Sequence, residues 1–388
     1  MNHLYNRLQG TRRPVCWLVT VLLAVVLAGC GRPDTAALLD SARLRIEQRD
    51  FDGASIDAKN VLQAQPESAA GRYLLGRALL GAGDLAGAES ELGRARRFGH
   101  PDHEVLPALA EVLLAGGRPR DVLVQFSDTQ LADVRGAADL GLQLARAHLA
   151  LGDLDSAEAA VAKVQQRLPA YLPGQLLRAR LASAQGDAAA AVRMAADLVQ
   201  AHPKEPDAWV LQGELLAADG KDPAAAAAAF RRALELSPRL SAAHGGLVNA
   251  LLGAGDLKGA EEAAAAMRKA LPAAPQAVYH EALVAYLKQD FTGARERMQS
   301  LSSSATEDPR LLLLAGTVES RLGALVQAET MLSKAAWGMP DAVKPRVELA
   351  LVYLQQGQPK RALAAIERLL ASQPQDATLW RVAGQAHA

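Results

Sequence analysis

The first residue that could take part in chemistry is Cys30, which directly follows the tripeptide Leu-Ala-Gly at 27–29. A thiol at a newly exposed N-terminus can be alkylated by diacylglycerol, so this spacing indicates a lipid attachment site. Three arginines within the first 13 residues precede an apolar run at 15–27, which is the order of a secretory leader. We therefore predict that residues 1–29 are a lipoprotein signal peptide and that Cys30 is lipidated.

The apolar run of the leader is too short to span a bilayer comfortably, because a membrane-spanning helix needs roughly 20 apolar residues. An uncleaved anchor with an incidental cysteine remains the alternative. Cys16 lies within the leader, so cleavage would leave Cys30 without a disulfide partner. Residues 30–34 would then form the lipidated cysteine and a short linker. An Asp directly after the lipidated cysteine would favour retention in the inner membrane, and this chain has Gly31 at that position. We therefore predict an outer-membrane location facing the periplasm.

The two closely spaced histidines, His100 and His103, are the only sequence feature that resembles a metal-binding pair. A zinc site needs further ligands of suitable geometry, and none is nearby in sequence, so we predict a surface turn. The sequence has no phosphate-binding glycine loop, zinc-spaced cysteine set or nucleophile elbow. We therefore predict no catalytic residue, no metal, no cofactor and no enzymatic activity.

A small residue recurs along the chain every 34 or 35 positions. The series is Ala54, Ala88, Val122, Ala157, Ala191, Ala226, Ala260, Ala294, Ala328 and Ala362. A period of this length predicts helix pairs that stack into a solenoid. We predict an all-α, right-handed superhelical solenoid over residues 35–388, with about ten complete repeats. We also expect the eleventh repeat to be truncated, since the chain stops at Ala388 within its first helix.

The turns follow the same register as the small residues. Glycine followed by aspartate occurs at 83–84, 152–153, 186–187 and 255–256. Glycine there can end the first helix of a pair in a left-handed conformation, and aspartate can cap the second helix. Prolines follow the second helices, where no further helical residue is needed. These features agree with the tetratricopeptide repeat pattern.

The first helices of such repeats line a groove, and the residue after each small position is predicted to point into it. In the first half of the chain this series contains Arg43, Arg77, Arg146 and Arg180. In the second half the predicted inward residues are Tyr279, Leu283, Tyr286 and Leu287. We predict a partner-binding groove with a basic part, suited to an acidic peptide or polysaccharide, and an apolar part that packs on rings. The alternative is that these arginines are ordinary exposed helix residues.

The charge of the whole chain excludes one class of partner. Lys and Arg number 42 and Asp and Glu number 42, so the formal net charge is zero. This balance gives no overall attraction to nucleic acid, and we predict no nucleic-acid binding.

The chain resembles the tetratricopeptide repeat lipoproteins of the PEP-CTERM/exosortase system. The residues that carry the resemblance are the Leu-Ala-Gly-Cys segment at 27–30, residues 57–63 before Pro66, and residues 72–77 followed by 83–92. This resemblance implies a role in exopolysaccharide export and in the sorting of C-terminally tagged proteins.

Two functions follow as expectations. The first is a lipid-anchored, periplasm-facing scaffold that binds protein partners of an envelope machine. The alternative is an outer-membrane assembly or pilotin-like lipoprotein for a secretion, pilus or barrel complex. Fold alone does not separate the two, because helical repeats serve many functions.

Overall fold

The computed structural model describes residues 34–272, 274–301 and 308–388, which form 21 α-helices and no strand. The predicted leader at 1–29 and Cys30 lie outside the described residues, as does most of the 30–34 linker. The chain divides into two compact units, unit 1 ending at Tyr171 and unit 2 beginning at Leu172. No described helix combines the length and the apolar character that a membrane span requires.

Unit 1 contains eight helices within its described residues. They are α1 (Thr35–Glu47), α2 (Phe51–Ala64), α3 (Ala69–Ala82), α4 (Leu85–Arg97), α5 (Asp102–Ala115), α6 (Pro119–Phe126), α7 (Val134–Ala150) and α8 (Leu154–Arg167).

Thirteen helices form the described part of unit 2. They are α9 (Leu172–Ala184), α10 (Ala188–Ala201), α11 (Pro206–Asp219), α12 (Pro223–Leu236), α13 (Ser241–Gly253), α14 (Leu257–Ala270), α15 (Pro275–Leu287), α16 (Phe291–Gln299), α17 (Pro309–Arg321), α18 (Leu325–Gly338), α19 (Val343–Gln355), α20 (Pro359–Ser372) and α21 (Ala377–His387).

The helices form consecutive pairs, and each pair contains one residue of the predicted small series. All ten of these residues are at most 1% exposed. They lie on the second helix of each pair, where it packs against the first. At Gly76 of α3 an added Cβ would lie 2.7 Å from Cγ of Leu92, and at Gly316 of α17 it would lie 2.6 Å from Cγ of Leu332. The prediction of an all-α fold built from helix pairs is therefore confirmed.

The predicted turn chemistry is also present. Gly83 and Gly186 have φ values of 89° and 90°, in the left-handed region that glycine adopts without strain. The aspartates that follow them cap the next helix: Asp84 accepts from the Gly87 N–H at 2.9 Å and Asp187 from the Ala190 N–H at 2.9 Å. The turn therefore fixes where each second helix begins.

Several prolines follow the ends of second helices. The carbonyl of each accepts a hydrogen bond from a side chain of the next first helix. Trp209 Nε1 donates to the carbonyl of Pro203 at 3.0 Å, and Trp380 Nε1 donates to that of Pro374 at 2.9 Å. His244 Nε2 does the same to Pro238 at 2.9 Å. Proline at the helix end leaves a carbonyl that needs a donor, and these side chains supply it.

Two second helices depart from the regular length. Helix α6 has 8 residues and α16 has 9, whereas the other second helices have 13 or 14. In the α6 repeat the small position is occupied by Val122, which is fully buried. The repeat with Val122 at its small position therefore keeps its core contact and loses length at the end of its second helix.

Candidate partner-binding site

A cavity of about 510 Å³ opens on the first helices of three successive repeats in unit 1. Its walls come from α3, α5 and α7, and we call it the first-helix cavity. Its lining includes Tyr73, Arg77, Glu104, Glu111, Arg135 and Asp139. The cavity is polar because these positions face away from the apolar layer between the helices of each pair.

Tyr73, which lines the first-helix cavity, stacks on His100, which lies outside the lining. The rings of Tyr73 and His100 lie 4.3 Å apart and nearly parallel, at 15°. His100 Nε2 is 2.9 Å from Glu104 Oε2, and this contact holds the imidazole in place. Burial raises the pKa of Tyr73, so its hydroxyl remains a neutral donor or acceptor. His100 lies between α4 and α5, where the sequence predicted a turn, and its ring packs against the cavity residue Tyr73.

An ionic contact between two repeats forms a second part of the cavity. Arg77 Nη2 of α3 lies 3.9 Å from Glu111 Oε2 of α5. Both side chains remain partly exposed, at 34% and 42%. The Nε of Arg77 is buried without a hydrogen-bond partner among the described residues. A buried donor without a partner costs free energy, which makes this part of α3 less stable than a fully paired contact would.

The opposite wall centres on Asp139 of α7. The hydroxyl of Tyr171 donates a hydrogen bond to Asp139 Oδ1, and the guanidinium of Arg135 lies 4.6 Å above the Tyr171 ring. Burial and the neighbouring carboxylate raise the pKa of Tyr171 to about 12. The phenol therefore stays protonated and fixes one carboxylate oxygen of Asp139. Gly136 permits the close approach of α7 to α5, because a Cβ there would lie 2.6 Å from the His103 carbonyl oxygen.

The lining of the first-helix cavity carries more acidic than basic groups. Its carboxylates are Glu104, Glu111, Asp133 and Asp139, and its guanidinium groups are Arg77 and Arg135. Asp133 accepts from the Gly136 N–H at 2.7 Å and caps α7. Partly exposed carboxylates beside aromatic rings form a site that can bind a cationic side chain together with backbone amides.

The structure gives each of the four predicted arginines a hydrogen-bond or ionic acceptor. Arg43 contacts Asp40 at 2.8 Å, and Arg146 donates to Gln143 at 3.2 Å. Arg180, in unit 2, contacts Glu214 at 2.8 Å. Only Arg77 lines the first-helix cavity, although Gln143, the acceptor for Arg146, also lines it. A role in partner binding for these arginines stays a prediction.

The four predicted apolar residues of unit 2 all lie on α15. Tyr279, Leu283 and Tyr286 are partly buried against a core cluster that includes Leu314 of α17, whereas Leu287 is 45% exposed. The ring of Tyr286 is 5.6 Å from that of Phe291. Burial raises the pKa of Tyr279. These side chains therefore contribute to packing between neighbouring repeats, and their role in binding stays a prediction.

The sequence reasoning did not identify Tyr73, Asp139 or Tyr171 as site residues. Asp139 and Tyr171 lie almost one repeat apart in sequence, a separation that would have signalled contact between equivalent positions. Within the described part of the chain no group of three His, Cys, Asp or Glu side chains is arranged to hold a metal ion.

Family models described as tetratricopeptide repeat match three sets of residues. The matched ranges are 176–241 with 246–309, then 45–112 with 321–386, and finally 17–37 with 138–163. Together they span more than half of the chain.

Among curated proteins, the chain is similar to cellulose synthase operon protein C of Xanthomonas axonopodis pv. citri (strain 306). The two are 32% identical over 197 residues, an alignment that covers 51% of this chain and 11% of that protein. The chain thus matches about a tenth of the length of this relative.

Among solved structures, the fold is similar to yeast Tom70, with a TM-score of 0.50 and 14% identity over 91% of this chain and 95% of that chain. A tetratricopeptide repeat protein from Parabacteroides merdae ATCC 43184 gives a TM-score of 0.49 and 14% identity, over 65% of this chain and 99% of that one. At these identities the likeness to Tom70 supports the repeat fold alone.

Proposed function

Because the chain belongs to the tetratricopeptide repeat family, whose repeats generally mediate protein–protein interactions, we propose that it is a non-catalytic scaffold that binds a protein partner. The observation that carries the proposal is the first-helix cavity, which three successive repeats of unit 1 build together. Repeat proteins commonly use the surface of stacked helices as an extended binding site.

The chemistry of the cavity favours a partner segment that contributes a cation. Glu111 and Asp139 are partly exposed in its walls, and the nearby Arg77 and Arg135 each lie 3.9 Å from one of these carboxylates. At that distance water or a ligand can compete for the carboxylates. The lining holds four carboxylates and two guanidinium groups, so a Lys or Arg of the partner fits it.

The cellular process we propose is the production or export of an exopolysaccharide. The 197-residue similarity to cellulose synthase operon protein C supports this assignment, as does the resemblance to lipoproteins of the exosortase system. In this proposal the chain binds another protein of the polysaccharide machine. A lipid on Cys30 would hold it at the outer membrane, facing the periplasm.

The partner-binding proposal can be tested with the full-length, tagged chain captured from envelope fractions. Glu111→Arg reverses a charge in the cavity wall without removing a core contact. We expect it to reduce recovery of the partner about tenfold, a typical effect for a residue at the centre of an interface. Proteins bound by the wild-type chain would be identified by mass spectrometry.

Asp155→Arg is the matched control, because it makes the same charge change at an exposed position on α8, outside the cavity lining. It should retain the partner. Equal recovery by Glu111→Arg and wild type would rule out the first-helix cavity as the binding site. Partners drawn from secretin, pilus or barrel-assembly complexes would replace the exopolysaccharide assignment with the assembly function.

The anchor is tested separately with Cys30→Ser. We expect metabolic labelling with a radioactive fatty acid to mark the wild-type chain and not the variant. Equal labelling of the two chains would exclude Cys30 as the acylated residue.

A further inference from the structure

A second cavity of about 510 Å³ lies in unit 1, between α7, α8 and the segment that follows α6. We call it the α6 gap. It shares no lining residue with the first-helix cavity. Its floor is apolar, formed by Leu131, Leu140, Leu144 and Val164.

The α6 gap exists because α6 is short. The helix ends at Phe126, only four residues after its small position at Val122, whereas α8 continues for ten residues beyond Ala157. The missing turns would otherwise cover the start of α7 and the end of α8. The chain instead runs through Ser127, Thr129 and Gln130, which line one side of the cavity.

The other short second helix, α16, leaves a cavity of only about 210 Å³ at the same repeat position. We call this cavity the α16 gap. Two substitutions in the repeat register account for much of the difference. Gly141 in the α6 gap corresponds to Leu312 in the α16 gap, and Ala160 corresponds to Met331. Small side chains therefore keep the α6 gap open where larger ones partly fill its counterpart.

The two gaps also differ in charge. In the α16 gap, Arg295 forms an ion pair with Glu319, and both residues line the cavity. The α6 gap has no carboxylate in its lining, and it contains Lys163 and Arg167, one turn apart on α8. Both side chains are exposed, and neither has an acceptor among the described residues.

Arg167 also stands out in the sequence. In the other repeats the equivalent described position after the second-helix small residue is uncharged, as at Ala64, Phe98, Ala201, Leu236, Ala270, Gly338 and Ser372. Among these described positions a cation occurs only on α8, beside the short helix α6 and the larger cavity. His148, also in the lining, is held by Asp153, with Nδ1 3.0 Å from Oδ2.

We propose that the α6 gap is a binding site for a small organic anion with an apolar body, specifically an alkyl carboxylate. The carboxylate would lie between Lys163 and Arg167, and the alkyl chain would cover Leu140, Leu144 and Val164. An apolar floor with a few convergent polar groups is the usual composition of a small-molecule site. Two cations one turn apart at the mouth of an apolar cavity can both donate to one carboxylate.

The test is calorimetric titration of the full-length Cys30→Ser chain with octanoate, at concentrations well below micelle formation. We expect saturable binding at one site. The neutral 1-octanol should bind at least about tenfold more weakly, and octyltrimethylammonium should not bind, because the cations contribute a charge-specific interaction. No saturable binding of octanoate, or equal binding of octanol, would overturn the proposal.

Variants locate the site. Lys163→Glu combined with Arg167→Glu should weaken octanoate binding at least about tenfold. The matched control is Lys334→Glu, at the repeat position of Lys163 on α18, and should leave binding unchanged. Ala160→Met copies the residue found at Met331 and should remove binding by filling the cavity. If Ala160→Met lowers the helicity measured by circular dichroism, the double charge reversal at Lys163 and Arg167 becomes the deciding variant, because both side chains are exposed. Octanoate binding unaffected by the charge reversal would place the ligand elsewhere.

Discussion

Helices α6 and α16 are the two short second helices in the described part of the chain, and the cavities beside them differ. Both helices keep a buried residue at the small position and one turn later, with Phe126 on α6 and Met298 on α16. The α16 gap is then narrowed by larger side chains and neutralised by an ion pair, whereas the α6 gap stays wide and cationic. A shortened helix therefore leaves space beside it. The size and charge of a few neighbouring side chains determine whether that space remains an open, charged cavity.

The largest effects on stability should come from the core anchors of the two helices. Phe126→Ala should lower the free energy of unfolding by about 3–5 kcal/mol, and Met298→Ala by about 2–5 kcal/mol, because each removes a buried side chain from a short helix with few other contacts. Phe126 is 4% exposed and Met298 is 9% exposed. Urea unfolding followed by circular dichroism measures both values.

Val124→Ala serves as the control for the core comparison. Val124 lies on α6 and is 85% exposed, so its loss should change the unfolding free energy by less than about 0.5 kcal/mol. A large loss from Val124→Ala would mean that α6 packs through a different face.

The ion pair of the α16 gap provides the next test. Glu319 has a side chain that is only 12% exposed, and Arg295 Nε donates to its Oε1 at 2.8 Å. Arg295→Ala should lower the denaturation midpoint, because it leaves a nearly buried carboxylate unpaired. Arg295→Ala combined with Glu319→Ala should recover part of the loss. If the double variant is no more stable than Arg295→Ala, the ion pair is not the cause.

The units that contain the two gaps should also differ in their response to acid. In unit 2, burial lowers the pKa of His244 and of His280, and neither histidine has a carboxylate partner in its hydrogen bonds. A lowered folded-state pKa favours the neutral form, so this stability is present above the ordinary histidine pKa of about 6.5 and is lost as pH falls below it.

The measurement for acid sensitivity is the melting temperature between about pH 7.5 and about pH 5.5, a range that spans histidine titration. His244→Gln combined with His280→Gln should flatten the decrease in melting temperature toward low pH. An unchanged slope in this variant would assign the acid sensitivity to other groups.

The smallest effect is expected in the α6 gap itself. Lys163→Ala and Arg167→Ala should each change the unfolding free energy by less than about 0.5 kcal/mol, because neither cation has an acceptor among the described residues. Together with the Arg295 result, this would show that the cations of the α6 gap are not required for folding. A loss above about 1 kcal/mol, judged against that surface range, would indicate a structural role.

The repeat fold could be predicted because its signal is periodic. The small series from Ala54 to Ala362, the glycines with positive φ such as Gly83, and the capping aspartates such as Asp84 all act locally. Each specifies a close contact or a turn within one repeat, and the structure places all of them as expected. Local rules repeated in register give a consistent fold.

The candidate sites could not be predicted in the same way, because they depend on which repeats meet. Arg77 and Arg180 were expected to be basic groove residues, yet each contacts a glutamate of the next repeat, at Glu111 and Glu214. The sequence contains both partners but does not show that their side chains reach each other. Tyr279 similarly has an inward position in the pattern and is partly buried by packing.

The sequence by itself determined the helix pairs, their turns and their small contact residues, because these depend on backbone conformation and on side-chain size within about 34 residues. Only the tertiary structure decided which charges are paired and where a cavity remains. Those outcomes depend on distances between side chains of different repeats, such as Arg295 to Glu319, and on the shape left beside Gly141 and Ala160 when α6 ends early. Packing between repeats determines both the distances between side chains and the shape of the cavity, because the size of a side chain in one repeat limits the space left for side chains of the next.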